Sequence, residues 1–127
     1  MGILKAKHWK NYGAQAEFEV NLAAQNSLPM EMGCKHQRNA IRLVQEAYNL
    51  IKFRRLPSSF PGISTFGVYD LSTTDCVGKF QDYFNLMFRD GRAGKETITK
   101  MDNVLVEIEI EDKQYKPPIV YPWEILF

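Results

Sequence analysis

Residues 65–101 carry one short pattern of glycine, threonine and apolar residues twice in succession, and this repeat constrains the fold more than any other feature of the chain. The first copy runs Phe66-Gly67, Thr73, Cys76-Val77 and Phe80-Gln81; the second runs Leu86, Asp90-Gly91, Ala93, Gly94, Thr97 and Met101. Glycine accepts positive φ at little cost and aspartate hydrogen-bonds its own following backbone, so Asp90-Gly91 marks a turn. Beyond it, Ile98 and Met101 stand at helical spacing and Glu96 falls where the helix dipole favours a negative charge, which predicts a short helix over 95–101. In the first copy Ser72-Thr73-Thr74-Asp75 has the form of a capping box. Val77, Phe80, Phe84 and Met87 then recur at helical spacing, predicting a helix of about three turns.

Upstream, Ile41, Val44, Tyr48 and Ile51 repeat at steps of three and four with Arg42, Gln45, Glu46 and Asn49 between them. That is an amphipathic helix, expected to begin after Gly33 and to end before Pro57, because proline disfavours helical geometry in the residue ahead of it. The ends of the chain read differently. Phe18, Val20 and Leu22 alternate with polar residues, and Val104, Val106, Ile108 and Ile110 do the same with Glu107, Glu109 and Glu111. Both patterns predict half-buried strands by their period of two. Asp112-Lys113-Gln114 is read as a turn, Pro117-Pro118 confines any continuation to a sheet edge, and Tyr121-Pro122-Trp123 is a candidate protein-docking tail.

The expected fold is therefore mainly α: a three-helix bundle over 37–102, with a small antiparallel sheet or hairpin made by an N-terminal extension, 1–36, and a C-terminal strand and aromatic tail, 103–127. With 127 residues, 45 % of them hydrophobic, a single domain with a real core is expected. The net charge of +1 argues against nucleic acid as a partner, Lys52-Phe53-Arg54-Arg55 being the one basic run. No stretch is apolar enough to span a bilayer, and residues 1–10 do not read as a secretory signal, so any export would follow a non-Sec route. Cys34 and Cys76 make no disulfide framework or zinc pattern, and whether they pair is left open. No metal site and no cofactor is expected. Cys34 and His36, two apart, are the sole candidate nucleophile and base, and the row Glu107, Glu109 and Glu111 reads as a solvated face, so no catalytic activity is expected.

In their order, Ile41, Val44-Gln45, Tyr48-Asn49-Leu50, Phe66-Gly67, Thr73, Cys76-Val77, Phe80-Gln81, Leu86, Asp90-Gly91, Gly94, Thr97 and Met101 resemble the peptidoglycan-binding domain, a three-helix module attached to many bacterial and phage cell-wall hydrolases. The resemblance covers about half of the chain. Relative to the family pattern there are three extra residues between Gly67 and Thr73, one extra between Leu86 and Asp90, and Ser64-Thr65 in place of an Asp-Gly pair.

The resemblance implies a non-catalytic module that holds a hydrolase or a delivered effector against murein. Its ligand groove would lie between the first helix and the turn that opens the third, lined by Asn49, Lys52, Asp90, Arg92 and Lys95, with Tyr48 or Phe88 as an aromatic face. Amides, cations and free backbone N–H groups suit sugar acetamides and peptide carboxylates. On the same residues a plainer role also exists: Thr73 and Thr97 as caps, the glycines as turn formers, and Gln45 and Gln81 as staples between helices and loops. The alternative to murein binding is an adaptor of a phage tail or contractile secretion system that keeps the scaffold and binds protein.

Overall fold

The computed structural model describes residues 4–25 and 27–114. A 3-10 turn, Lys7–Lys10, precedes four α-helices among the described residues: α1 (Ala14–Ala24), α2 (Arg38–Arg55), α3 (Leu71–Tyr83) and α4 (Lys95–Gln114). Helices α1, α2 and α4 pack against one another, α3 packs on α2, and the N-terminal turn lies across α1, α2 and α4. Tyr48, Ile51, Phe80, Ile98, Met101 and Leu105 meet in the core with no exposed surface. At about 1.5–3 kcal/mol for each large apolar side chain withdrawn from water, this seam is the main source of stability.

The amphipathic helix lies where its periodicity put it, with Leu56 as its C-cap directly before Pro57. The expected sheet is not formed among the described residues. Residues 18, 20 and 22 belong to α1, whose buried apolar positions are Ala16, Val20, Ala23 and Ala24; three alanines let this helix approach its neighbours closely. Residues 104–110 belong to α4, which continues without a break through the expected boundary at 102 and through 112–114, where a turn was expected. Ile98, Met101, Leu105 and Ile108 form one buried helical stripe, and this period overrides the local alternation of valine, isoleucine and glutamate. The sole β-type pairing among the described residues is an isolated bridge between Met30 and Ala93. The expected tail at Tyr121-Pro122-Trp123 falls outside the described residues.

The N-terminal segment is fastened to α4 by two carboxylates. Asp102, buried on α4, accepts from the amides of Lys5 and Ala6 at 3.0 and 2.8 Å and from the Trp9 indole at 2.9 Å. Two turns along, Glu109 accepts from the amides of Lys7 and His8 at 3.0 and 3.1 Å. Amide donors at the start of a 3-10 turn have no partner within it, and these carboxylates supply one. Trp9 can then be buried completely without stranding its N–H.

Candidate functional site

Each copy of the repeat folds around a fully buried glutamine. In the first, Gln45 of α2 accepts from the Gly67 amide at 2.8 Å through Oε1, while its Nε2 donates to the Val68 carbonyl at 2.8 Å and the Thr73 hydroxyl at 2.9 Å. In the second, Gln81 of α3 accepts from the Gly91 amide at 2.8 Å, and its Nε2 donates to the Arg92 carbonyl at 2.9 Å and the Thr97 hydroxyl at 2.8 Å. Each glycine stands six positions ahead of its threonine (67 to 73, 91 to 97), so within this chain the two turns are equal in length. The glycines have φ of 91° and 77°, a region where a Cβ is strained. A primary amide suits this task because it offers an acceptor and two donors on one flat group. Among the described residues no buried side-chain nitrogen or oxygen lacks a partner.

Beside the second clamp the surface opens into a cavity of about 700 Å³. Gln81 and Thr97 lie in its lining, with Pro29, Leu86, Phe88, Asp90, Arg92 and Gly94 around them, and Lys95, Glu96, Thr99, Lys100 and Asn103 contributed by the first turns of α4. Two carboxylates tie its rim together. The Glu96 carboxylate accepts from the amides of Met87 and Phe88 at 2.8 and 3.0 Å, bonds that hold it below the usual glutamate range. Met87 and Phe88 are thereby presented to solvent, 79 % and 62 % exposed. Asp90 accepts from the Arg92 amide at 3.0 Å and the Arg92 guanidinium at 3.2 Å; burial works to raise its carboxyl, but these bonds keep it below the usual aspartate range. The Lys100 ammonium sits over the Phe84 ring at 4.8 Å. The arrangement combines an aromatic rim, hydroxyl and amide groups, and cations of fixed position, a set that recognises polar ligands carrying some apolar surface.

Of the seven residues singled out from the sequence, Phe88, Asp90, Arg92 and Lys95 are brought together in this cavity. Asn49 and Lys52 lie on α2 and are not part of its lining. Asn49 is engaged with the loop before α3, donating to the Ile63 carbonyl and accepting from the Ile63 amide, both at 2.8 Å. Tyr48 does not offer the expected aromatic face: its ring is in the core and its hydroxyl donates to the Pro61 carbonyl at 2.6 Å, while burial pushes the phenol pKa up. Cys34 and Cys76 are both free thiols, and His36 is occupied by Glu19 and Leu28. Sequence reasoning missed Thr99, Lys100 and Asn103. Their spacing marks one face of a helix, a signal legible only if that helix is taken past Met101.

No protein-family model, curated protein or solved structure significantly matches this chain. No helix among the described residues is long and apolar enough to cross a membrane.

Proposed function

We propose that the chain is a non-catalytic peptidoglycan-binding module whose ligand occupies the cavity beside Gln81. The supporting observation is the pair of Gln–Gly–Thr clamps, which follow the order of the family pattern, with an aromatic-rimmed groove beside the second. Arg92 and Lys95 offer cations to the carboxylates of stem peptides; Thr99 and Asn103 offer hydrogen bonds to sugar hydroxyls and acetamides; Phe88 offers a face to a sugar ring. Holding an attached hydrolase or effector at the wall raises its local concentration at substrate. Co-sedimentation with purified sacculi tests this reading. The wild-type chain is retained, Arg92→Ala lowers retention by about fivefold, on the order of 1 kcal/mol, and Lys52→Ala leaves it within error. Absence of wild-type retention overturns the reading.

The rim favours one alternative, an adaptor that binds protein through the same groove. Met87 and Phe88 are large apolar side chains held outward by Glu96, a usual sign of a partner surface. Capture of a protein encoded beside this one, lost in Phe88→Ser and accompanied by no retention on sacculi, selects it.

A further inference from the structure

His36 is enclosed by the chain, its side chain 4 % exposed, and both ring nitrogens face oxygen: Nδ1 the Glu19 carboxylate at 2.9 Å, Nε2 the Leu28 carbonyl at 2.6 Å. A carbonyl can only accept, so Nε2 carries a hydrogen. A neutral imidazole has no second N–H, and its Nδ1 lone pair would then point at a carboxylate oxygen at hydrogen-bonding distance. The geometry is complete only with a further proton between Nδ1 and Oε1. Glu19 is otherwise fully engaged, accepting from the Gln37 amide at 2.8 Å and the Gln15 side chain at 3.2 Å. Burial works to raise its carboxyl, yet the bonds from Gln37, His36 and Gln15 hold it below the usual glutamate range. His8 is a contrast within the same chain: its Nε2 meets the Leu43 carbonyl at 2.7 Å, a contact that the neutral ring makes unaided.

The segment fastened by His36, residues 28–37, reaches the groove. Pro29 forms part of its lining, the backbone of Met30 pairs with that of Ala93 at 3.0 and 2.8 Å, and the Glu31 carboxylate lies 3.6 Å from the Arg92 guanidinium. We propose that the proton held between His36 and Glu19 latches this segment to α1, and that its loss as pH rises frees residues 28–37 and loosens the Pro29 edge of the groove. Glu19 is the charged group that faces the ring from α1; Lys35 flanks it in the chain, and Arg38 at the start of α2 is turned toward the Gly67 turn. The latch rests on the fold alone and holds whatever the groove binds.

Nitrogen-15 NMR of the ring, followed together with amide exchange at Met30, Gln37 and Ala93 from about pH 5 to about pH 9, reads the proton and the segment in one series. The expected result is a doubly protonated ring at low pH and, as it becomes neutral, exchange at these amides about tenfold faster than intrinsic chemistry accounts for. His36→Gln removes the step and His8→Gln keeps it. A ring that turns neutral while the amides stay equally protected overturns the proposal, as does a step that persists in His36→Gln. Should His36→Gln fail to fold, the wild-type titration alone decides.

Discussion

The two glutamine clamps use the same chemistry in different surroundings. Around Gln45 the chain closes over itself: the loop between α2 and α3 is tied down by Asn49 at Ile63 and by Tyr48 at Pro61, and Asp70 caps α3 through the Thr73 amide and hydroxyl. Around Gln81 the connection between helices, 84–94, is shorter than the 56–70 loop, α4 begins without an equivalent aspartate, and the space beside the clamp stays open as the groove. One constellation of glutamine, glycine and threonine is thus scaffold alone in one copy and scaffold plus groove lining in the other. Function, in this account, follows from what the flanking loops leave uncovered rather than from the motif residues themselves.

The largest effects should test whether the clamps are equivalent as scaffold. Gln45→Ala and Gln81→Ala each take the acceptor from a glycine amide and a donor from a turn carbonyl, and each should cost about 3 kcal/mol in urea unfolding. A cost at one site only would break the equivalence. The glycines should sharpen it. A Cβ on Gly91 would stand 2.6 and 2.8 Å from Thr74 atoms, one of them backbone, whereas on Gly67 the nearest atom would be the flexible Arg38 side chain at 3.1 Å. Both positions carry positive-φ strain, so Gly91→Ala should cost about 3 kcal/mol and Gly67→Ala about half of that, by the same measurement.

Smaller effects separate the carboxylates that finish each copy. Asp70→Ala should cost about 1 kcal/mol through loss of the cap. The Thr73 amide holds the Asp70 carboxyl below the usual aspartate range. Its contribution is therefore present above the unfolded value of about 3.9 and lost as pH falls through the lower folded value, an acid limb that Asp70→Asn should flatten. Glu96 shifts in the same direction, but its effect is local: Glu96→Gln should speed amide exchange at Met87 and Phe88 and leave the unfolding midpoint nearly unchanged. Smallest of all, Arg92→Ala should alter stability by no more than about 0.5 kcal/mol, because its pairs with Asp90 and Glu31 are half exposed, so any loss of binding reports the groove and not the fold.

Much of the middle of the chain was legible in its sequence. The bounds of α2, the turns at Gly67 and Gly91 and the staple role open to Gln45 and Gln81 all follow from periodicity, turn chemistry and the paired punctuation. The ends were misread for a shared physical reason. Alternation over five to seven residues, such as 18–22 or 104–110, fits a strand as well as part of a helix, and what decides is whether neighbours extend the 3.6-residue period. Ala16, Ala23 and Ala24 extend it for α1, and Ile98 and Met101 extend it for α4, but alanines add little apolar contrast and the glutamates at 107, 109 and 111 disguise the second. Two of those glutamates have tasks that no local pattern encodes: Glu109 receives the amides of Lys7 and His8, and Glu111 pairs with Arg55 at the far end of α2. Burial of Tyr48 depends on the loop that crosses it, which the helical stripe alone does not reveal.

Chemical-shift mapping with muramidase-solubilised murein fragments tests the central claim most directly, because the side-chain amides of Gln45 and Gln81 report the two clamps within one spectrum. The account predicts saturable shifts at Gly91, Thr97, Lys100 and the Gln81 amide, with Gly67, Thr73 and the Gln45 amide unmoved. Shifts centred on Gln45, or none at either clamp, would contradict it.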